Sequence, residues 1–164
     1  MADFRDLASQ AKTAHEARVA EKTRKASEKG AARSQQVRAG VEHLRVEVIP
    51  ILEKAKTQFA ESGLDSRVAT EFDVENFANT KPKVTFQFLG PRRADGGQFK
   101  GAHIFFESDG DTIQASISRS DLRNPEPERG LGFAPPGKID ALVEMAVRAA
   151  IDLYYRELES RGAN

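Results

Sequence analysis

The sequence predicts an α+β protein with an N-terminal helical arm, a kinked helix, a four-stranded antiparallel β-meander and a C-terminal helix packed on one sheet face. Three observations carry that expectation. Apolar residues recur three and four apart over residues 41–62 and again over 138–160, the spacing of amphipathic helices. Between those stretches they alternate with polar residues, the spacing of strands with one buried face. Ahead of both lie forty residues rich in alanine and charge that have helix-forming composition and no apolar stripe.

The arm, residues 1–40, holds ten Ala, nine Lys or Arg and five Asp or Glu. Phe4, Leu7, Ala8, Ala11 and Ala14 form a short apolar edge, with Phe4, Leu7 and Ala11 its docking candidates. The edge ends at Arg18, Glu21 and Lys25, and Val19 is the only large aliphatic residue between Leu7 and Val37. Gly30 and Gly40 are expected to interrupt the helix, since each costs about 1 kcal/mol relative to Ala. A helix with so little to bury either finds a partner or stays solvated and frayed.

The body, residues 41–164, opens with Val41, Leu44, Val48, Ile51, Leu52, Ala55 and Phe59 in helical phase. Pro50 lies inside this stripe, where a proline removes a hydrogen bond. Leu44–Val48 also reads as a short strand, but the stripe continues across the proline, which favours a kinked helix over 41–62. Ser62-Gly63-Leu64 fits a helix stop. Alternating runs then place strands at about 66–74, 83–89, 102–108 and 112–119, with Ser108-Asp109-Gly110-Asp111 as the hairpin turn between the last two. Ser120–Gly137, rich in Pro and Gly, is a connection. Ile139, Leu142, Val143, Ala146, Ala150 and Leu153 stripe the last helix, 138–160, which Gly162 ends.

Composition excludes several chemistries. With no Cys among 164 residues there are no disulfides, thiolate nucleophiles or thiolate metal sites. No apolar run approaches the roughly 20 residues of a membrane span. The N-terminus lacks the basic-then-apolar layout of a signal peptide, so a cytoplasmic location is expected. The chain is neutral overall, but the arm carries +4 and the body therefore −4. Those opposite signs permit the arm to fold back or to dock on a second copy, a bias limited by screening over about 8 Å at physiological salt.

Catalytic and metal-binding patterns are missing. His15, His43 and His103 fall on three elements without ligand or triad spacing. Glu107, Asp109 and Asp111 lack the glycine and the later Glu of a calcium loop, and Thr112 already begins a strand. Topology yields a stronger candidate, because a meander brings two connections to one end of its sheet. Arg92, Arg93 and Lys100 lie on one, and Arg119, Arg123 and Arg129 on the other, a rim suited to a phosphate, a carboxylate or an acidic partner. Asp95, Asp121, Glu126 and Glu128 offset much of its charge. The polar sheet face is a second candidate, with Gln87, His103, Phe105 and Gln114 as recognition residues. Phe105 is its one aromatic, whereas single-strand RNA-binding sheets stack bases on two or three.

The helix–meander–helix order over about 51–160 resembles the double-stranded RNA-binding domain. That family has three strands and a lysine cluster opening its last helix. Here a fourth strand is expected, and the helix opens Lys138-Ile139-Asp140 with no second lysine nearby, so the phosphate-gripping residues are absent. The function expected is a non-enzymatic interaction module that self-associates or binds a protein partner through its arm, with no cofactor. The alternatives are an accessory nucleic-acid-binding regulator and a small anionic-ligand-binding protein.

Overall fold

The computed structural model describes residues 3–72, 81–118 and 129–162. The chain divides into two units, Met1–Gln35 and Gln36–Asn164. Helix α1, Phe4–His43, contributes to both.

In the first unit every residue from Asp3 to Arg33 is exposed. The helix is held locally. Asp3 Oδ1 accepts the Arg5 amide at 3.0 Å, a first-turn cap. Arg24 pairs with Glu21 and with Glu28, both at 2.6 Å, and Lys25 reaches Glu21 at 3.7 Å. The Arg24 guanidinium holds the Glu21 carboxyl below its ordinary range, and Glu21 in turn raises the Arg24 pKa. These are neighbouring-turn contacts of the kind that stabilise a solvated helix without tertiary packing. Gly30 and Gly40 do not interrupt it, contrary to the sequence-based expectation.

In the second unit a π-helical turn, Leu44–Val48, joins α1 to helix α2, Ile49–Glu61. The Ile49 amide donates to Leu44 O, five residues back. Pro50 stands in the first turn of α2, directly after the π turn, the part of a helix that tolerates a proline best. Residues 44–49 are helical, not a strand. Leu44, Val48 and Leu52 are fully buried along this path. At the other end Leu64 donates to Phe59 O at 2.8 Å and Gly63 to Ala60 O at 3.1 Å, the paired bonds of a Schellman stop.

The sheet has five antiparallel strands: β1 Asp65–Glu71, β2 Lys83–Arg92, β3 Gln98–Ser108, β4 Ile113–Ser118 and β5 Arg129–Ala134. They pair in sequence order. The four-strand expectation is therefore corrected: β5 lies in the stretch read as connection. Its sequence, Arg-Gly-Leu-Gly-Phe-Ala, carries two glycines, which count against a strand. Pairing with β4 and a bulge opposite Ala115 and Ser116 accommodate them. The later part of the first predicted strand, Asp73 and Val74, lies outside the described residues.

Val84, Phe86 and Phe88 of β2, Ile104 and Phe106 of β3, and Ile113, Ala115 and Ile117 of β4 form the buried face. Phe59 of α2 meets the Phe88 ring edge-on at 5.0 Å. Helix α3, Asp140–Gly162, adds Val143, Ala146, Ala150 and Tyr154 to the same core. The Tyr154 ring lies 5.5 Å from Phe88 and 5.8 Å from Phe99.

The start of this unit rests on the β3–β4 hairpin. A Cβ on Gly40 would stand 3.1 Å from both Pro82 Cγ and Ser108 O. Gly110 adopts φ +99°, and a Cβ there would meet Gln36 O at 2.8 Å. Only glycine suits that backbone and that approach. Asp109 completes the turn, its Oδ1 accepting the amides of Asp111 at 2.9 Å and Thr112 at 2.8 Å. The expected Asp-Gly hairpin is thus present, and its carboxylate is occupied by its own backbone.

Candidate functional site

The three sites named from the sequence fare differently. On the arm, Phe4 is 78% exposed and Leu7 51%, with Ala11 exposed beside them. The edge is present and uncovered in its own unit.

On the rim, Arg92 ends β2, Arg93 follows it, Lys100 lies in β3 and Arg129 opens β5. Arg119 and Arg123 lie outside the described residues. The topology brings the four described groups to one end of the sheet. Strand spacing of about 4.8 Å nevertheless sets β2 and β5 about 14 Å apart. The glycines of the β2–β3 turn offer little to an anion. The Gly97 amide donates to Asp95 Oδ1 at 2.9 Å and the Gly96 amide to Arg93 O at 3.0 Å. Those two glycine amides are thus engaged within the turn itself.

On the open sheet face the register builds cross-strand rows. Arg67, Gln87, His103 and Ser118 form one, and Ala69, Thr85, Phe105 and Ser116 the next. In the first row Arg67 and Gln87 are hydrogen-bonded to each other. Gln87 is only 2% exposed; it accepts from Arg67 Nε at 3.0 Å and donates to Gly101 O at 2.8 Å. Gly101 and Ala102 together oppose Phe88, so Gln87 fastens a β-bulge. Lys83 lies 4.7 Å over the Phe105 ring and 3.5 Å from Glu107, while His103 meets Phe105 edge-on at 4.5 Å. Gln114 is exposed opposite Phe133, itself 78% exposed. Phe133 is a second aromatic on this face, missed because β5 itself was missed.

Sequence reading also missed a groove between α2 and α3. Ile51, Ala55 and Phe59 line one side and Val143, Val147 and Ile151 the other, around about 660 Å³. Lys54 and Gln58 edge the α2 side; Asp140, Glu144 and Arg148 edge the α3 side. The signal was available in both stripes, each of which is wider than a sheet can cover. Five of the six apolar lining residues are partly buried and Val143 is fully buried. Apolar floor and charged rims suit an amphipathic helix.

The histidines do not converge. His15 is exposed in the first unit, and His103 abuts Phe105. His43 Nδ1 lies 3.8 Å from Glu47 Oε2, while Glu47 Oε1 accepts the Gly137 amide and so ties the π turn to the loop before α3. Among the described residues, no three His, Asp or Glu side chains are grouped to hold a metal. No described helix is long and apolar enough to cross a membrane.

The fold defines an α+β protein with a five-stranded antiparallel meander, helices on its apolar face and a long charged helix at its N-terminus. The chain matches no family model, no curated protein and no solved structure.

Proposed function

We propose that the chain is a non-enzymatic protein-interaction module that works through its N-terminal helical arm, associating with a second copy or with another protein. One observation carries this reading: a continuous helix whose residues from Phe4 to Arg33 are all exposed and whose first turns bear the apolar edge Phe4–Leu7–Ala11. Side chains as exposed as Phe4 and Leu7 gain by leaving water, at about 25 cal/mol per Å² of apolar surface removed. Their i, i+3, i+7 spacing is that of a helix laid into a groove.

The test compares the full chain with one lacking residues 1–35 by light scattering on a sizing column. The full chain is expected to be oligomeric or to co-purify with a defined protein, and the truncated chain to be monomeric with its near-UV spectrum intact. A full chain that is monomeric, binds no protein and exchanges its arm amides at coil rates would overturn the reading.

A further inference from the structure

We infer that the outer edge of β1 pairs antiparallel with the same edge of a second copy, in a register centred on Ala69. Both outer strands of the sheet lack a neighbour on one side among the described residues, but the two edges differ. β5 carries two glycines and pairs with β4 through a bulge, features that spoil an edge for further pairing. β1 reads Asp-Ser-Arg-Val-Ala-Thr-Glu, with neither glycine nor proline, and runs against β2 for its whole length without a register shift. Asp65, Arg67, Ala69, Thr70 and Glu71 are all exposed. A regular strand whose outer N–H and C=O groups have no ladder partner is a template for one more strand.

Charge selects both the occupant and the register. Antiparallel copies of one strand are related by a two-fold axis perpendicular to the sheet. Such an axis keeps the open face of each copy on the same side, so only residues of that face oppose one another across it. On β1 these are Asp65, Arg67, Ala69 and Glu71, in phase with the Arg67–Gln87 row. Registers that pair at least five strand residues centre on Arg67, Val68 or Ala69. The first sets Arg67 against Arg67, and the second sets Asp65 against Glu71 at both ends. Like charges directly opposite destabilise a strand pair. The third sets Arg67 against Glu71 twice, with Ala69 against Ala69 on the axis and Val68 against Thr70 between them. The strand is self-complementary in that register alone.

Both members of the pair are placed for it. Arg67 Nε donates to Gln87 Oε1 at 3.0 Å, which leaves the terminal guanidinium nitrogens for a carboxylate. Glu71 stands opposite Lys83 on β2, whose ammonium lies 3.5 Å from Glu107. Five residue pairs make a contact far smaller than a standard interface of about 1,600 Å². The inference therefore rests on the interaction reading for what holds two copies together, and it names a second copy as the partner.

The chain has no cysteine, so a single variant reports the register. Opposed Cα atoms of an antiparallel pair lie about 4.5–5.5 Å apart, within disulfide reach. Full-length Ala69→Cys under mild oxidation is expected to form a covalent dimer several times faster than full-length Gln114→Cys, whose exposed site lies on β4, away from this edge. Independently, Glu71→Arg sets Arg against Arg67 and should weaken self-association of the full chain about fivefold, and adding Arg67→Glu should recover it. If the full chain oligomerises and loses this on deleting residues 1–35, yet cross-links no faster at Ala69 than at Gln114 and ignores Glu71→Arg, the edge inference falls and the arm reading stands. A chain lacking residues 1–35 that still associates and still cross-links at Ala69 overturns the arm reading and leaves the edge contact. A full chain that does not self-associate overturns the inference, whatever the arm binds.

Discussion

Residues 4–33 and residues 36–43 belong to one helix, yet they are stabilised by opposite means. The first stretch is wholly exposed and relies on side-chain pairs a turn apart, such as Arg24 with Glu21 and Glu28. The second brings Val37 and Gly40 into buried positions, with Gly40 against Pro82 and Ser108. The contrast teaches that helix formation and helix burial are separate properties of a sequence. Alanine and alternating charge suffice for the first; only an apolar or small residue in the right phase provides the second.

The contrast is broken most severely in the core. Phe86→Ala removes a fully buried ring that packs against Phe88 at 5.2 Å and Phe59 at 6.5 Å. It should cost about 3–5 kcal/mol in urea unfolding of the full chain, followed by near-UV signal. Next comes Gly110→Ala, which puts a Cβ 2.8 Å from Gln36 O at φ +99°. A loss of about 2 kcal/mol in the same assay is expected from backbone strain and the forced shift.

Gly30→Ala should act with the opposite sign, because nothing lies within 4 Å of its Cβ position. Arm helicity should rise by about 0.5–1 kcal/mol, read as slower amide exchange over residues 26–34, with the body's unfolding midpoint unchanged. A glycine is thus a defect in one half of α1 and a fitted part where the other half meets the hairpin.

A smaller effect in the second unit depends on pH. The amides of Thr112 and Asp111 hold the Asp109 carboxyl below its ordinary range. Its folded pKa is lowered, so its contribution is complete above the ordinary carboxylate range and is lost as pH falls through the lowered value. Asp109→Ala should therefore be less stable than the wild type at neutral pH, with the difference closing in acid. Smallest of all, Val19→Ala should change the body's stability by less than about 0.5 kcal/mol, as expected of an exposed site.

Much of this architecture was legible in the chain. Val41 to Phe59 and Ile139 to Leu153 carry helical phase, and Val84-Thr85-Phe86-Gln87-Phe88 carries strand alternation, because each buries one face. Strand β5 was not legible. Gly130 and Gly132 depress its local preference, and only pairing with β4 makes it a strand, a tertiary effect outside any local window. The candidate sites were legible as inventories but not as commitments. The residue type Gln87 announces hydrogen-bonding capacity, whereas its use on Arg67 and Gly101 depends on a bulge set by register. The α2–α3 groove required knowing where two stripes lie in space.

The π turn at Leu44–Val48 carries a further implication for how this chain tolerates change in length. One residue of α-helix is about 100° of rotation. Shortening the chain by a single residue between 44 and 48 would convert the turn to ordinary helix and swing Gly40 away from Pro82 and Ser108. The apolar positions after Ile49 would keep their phase. That stretch acts as an angular vernier: it reconciles two helical faces that no uninterrupted α-helix would aim at both the hairpin and the core.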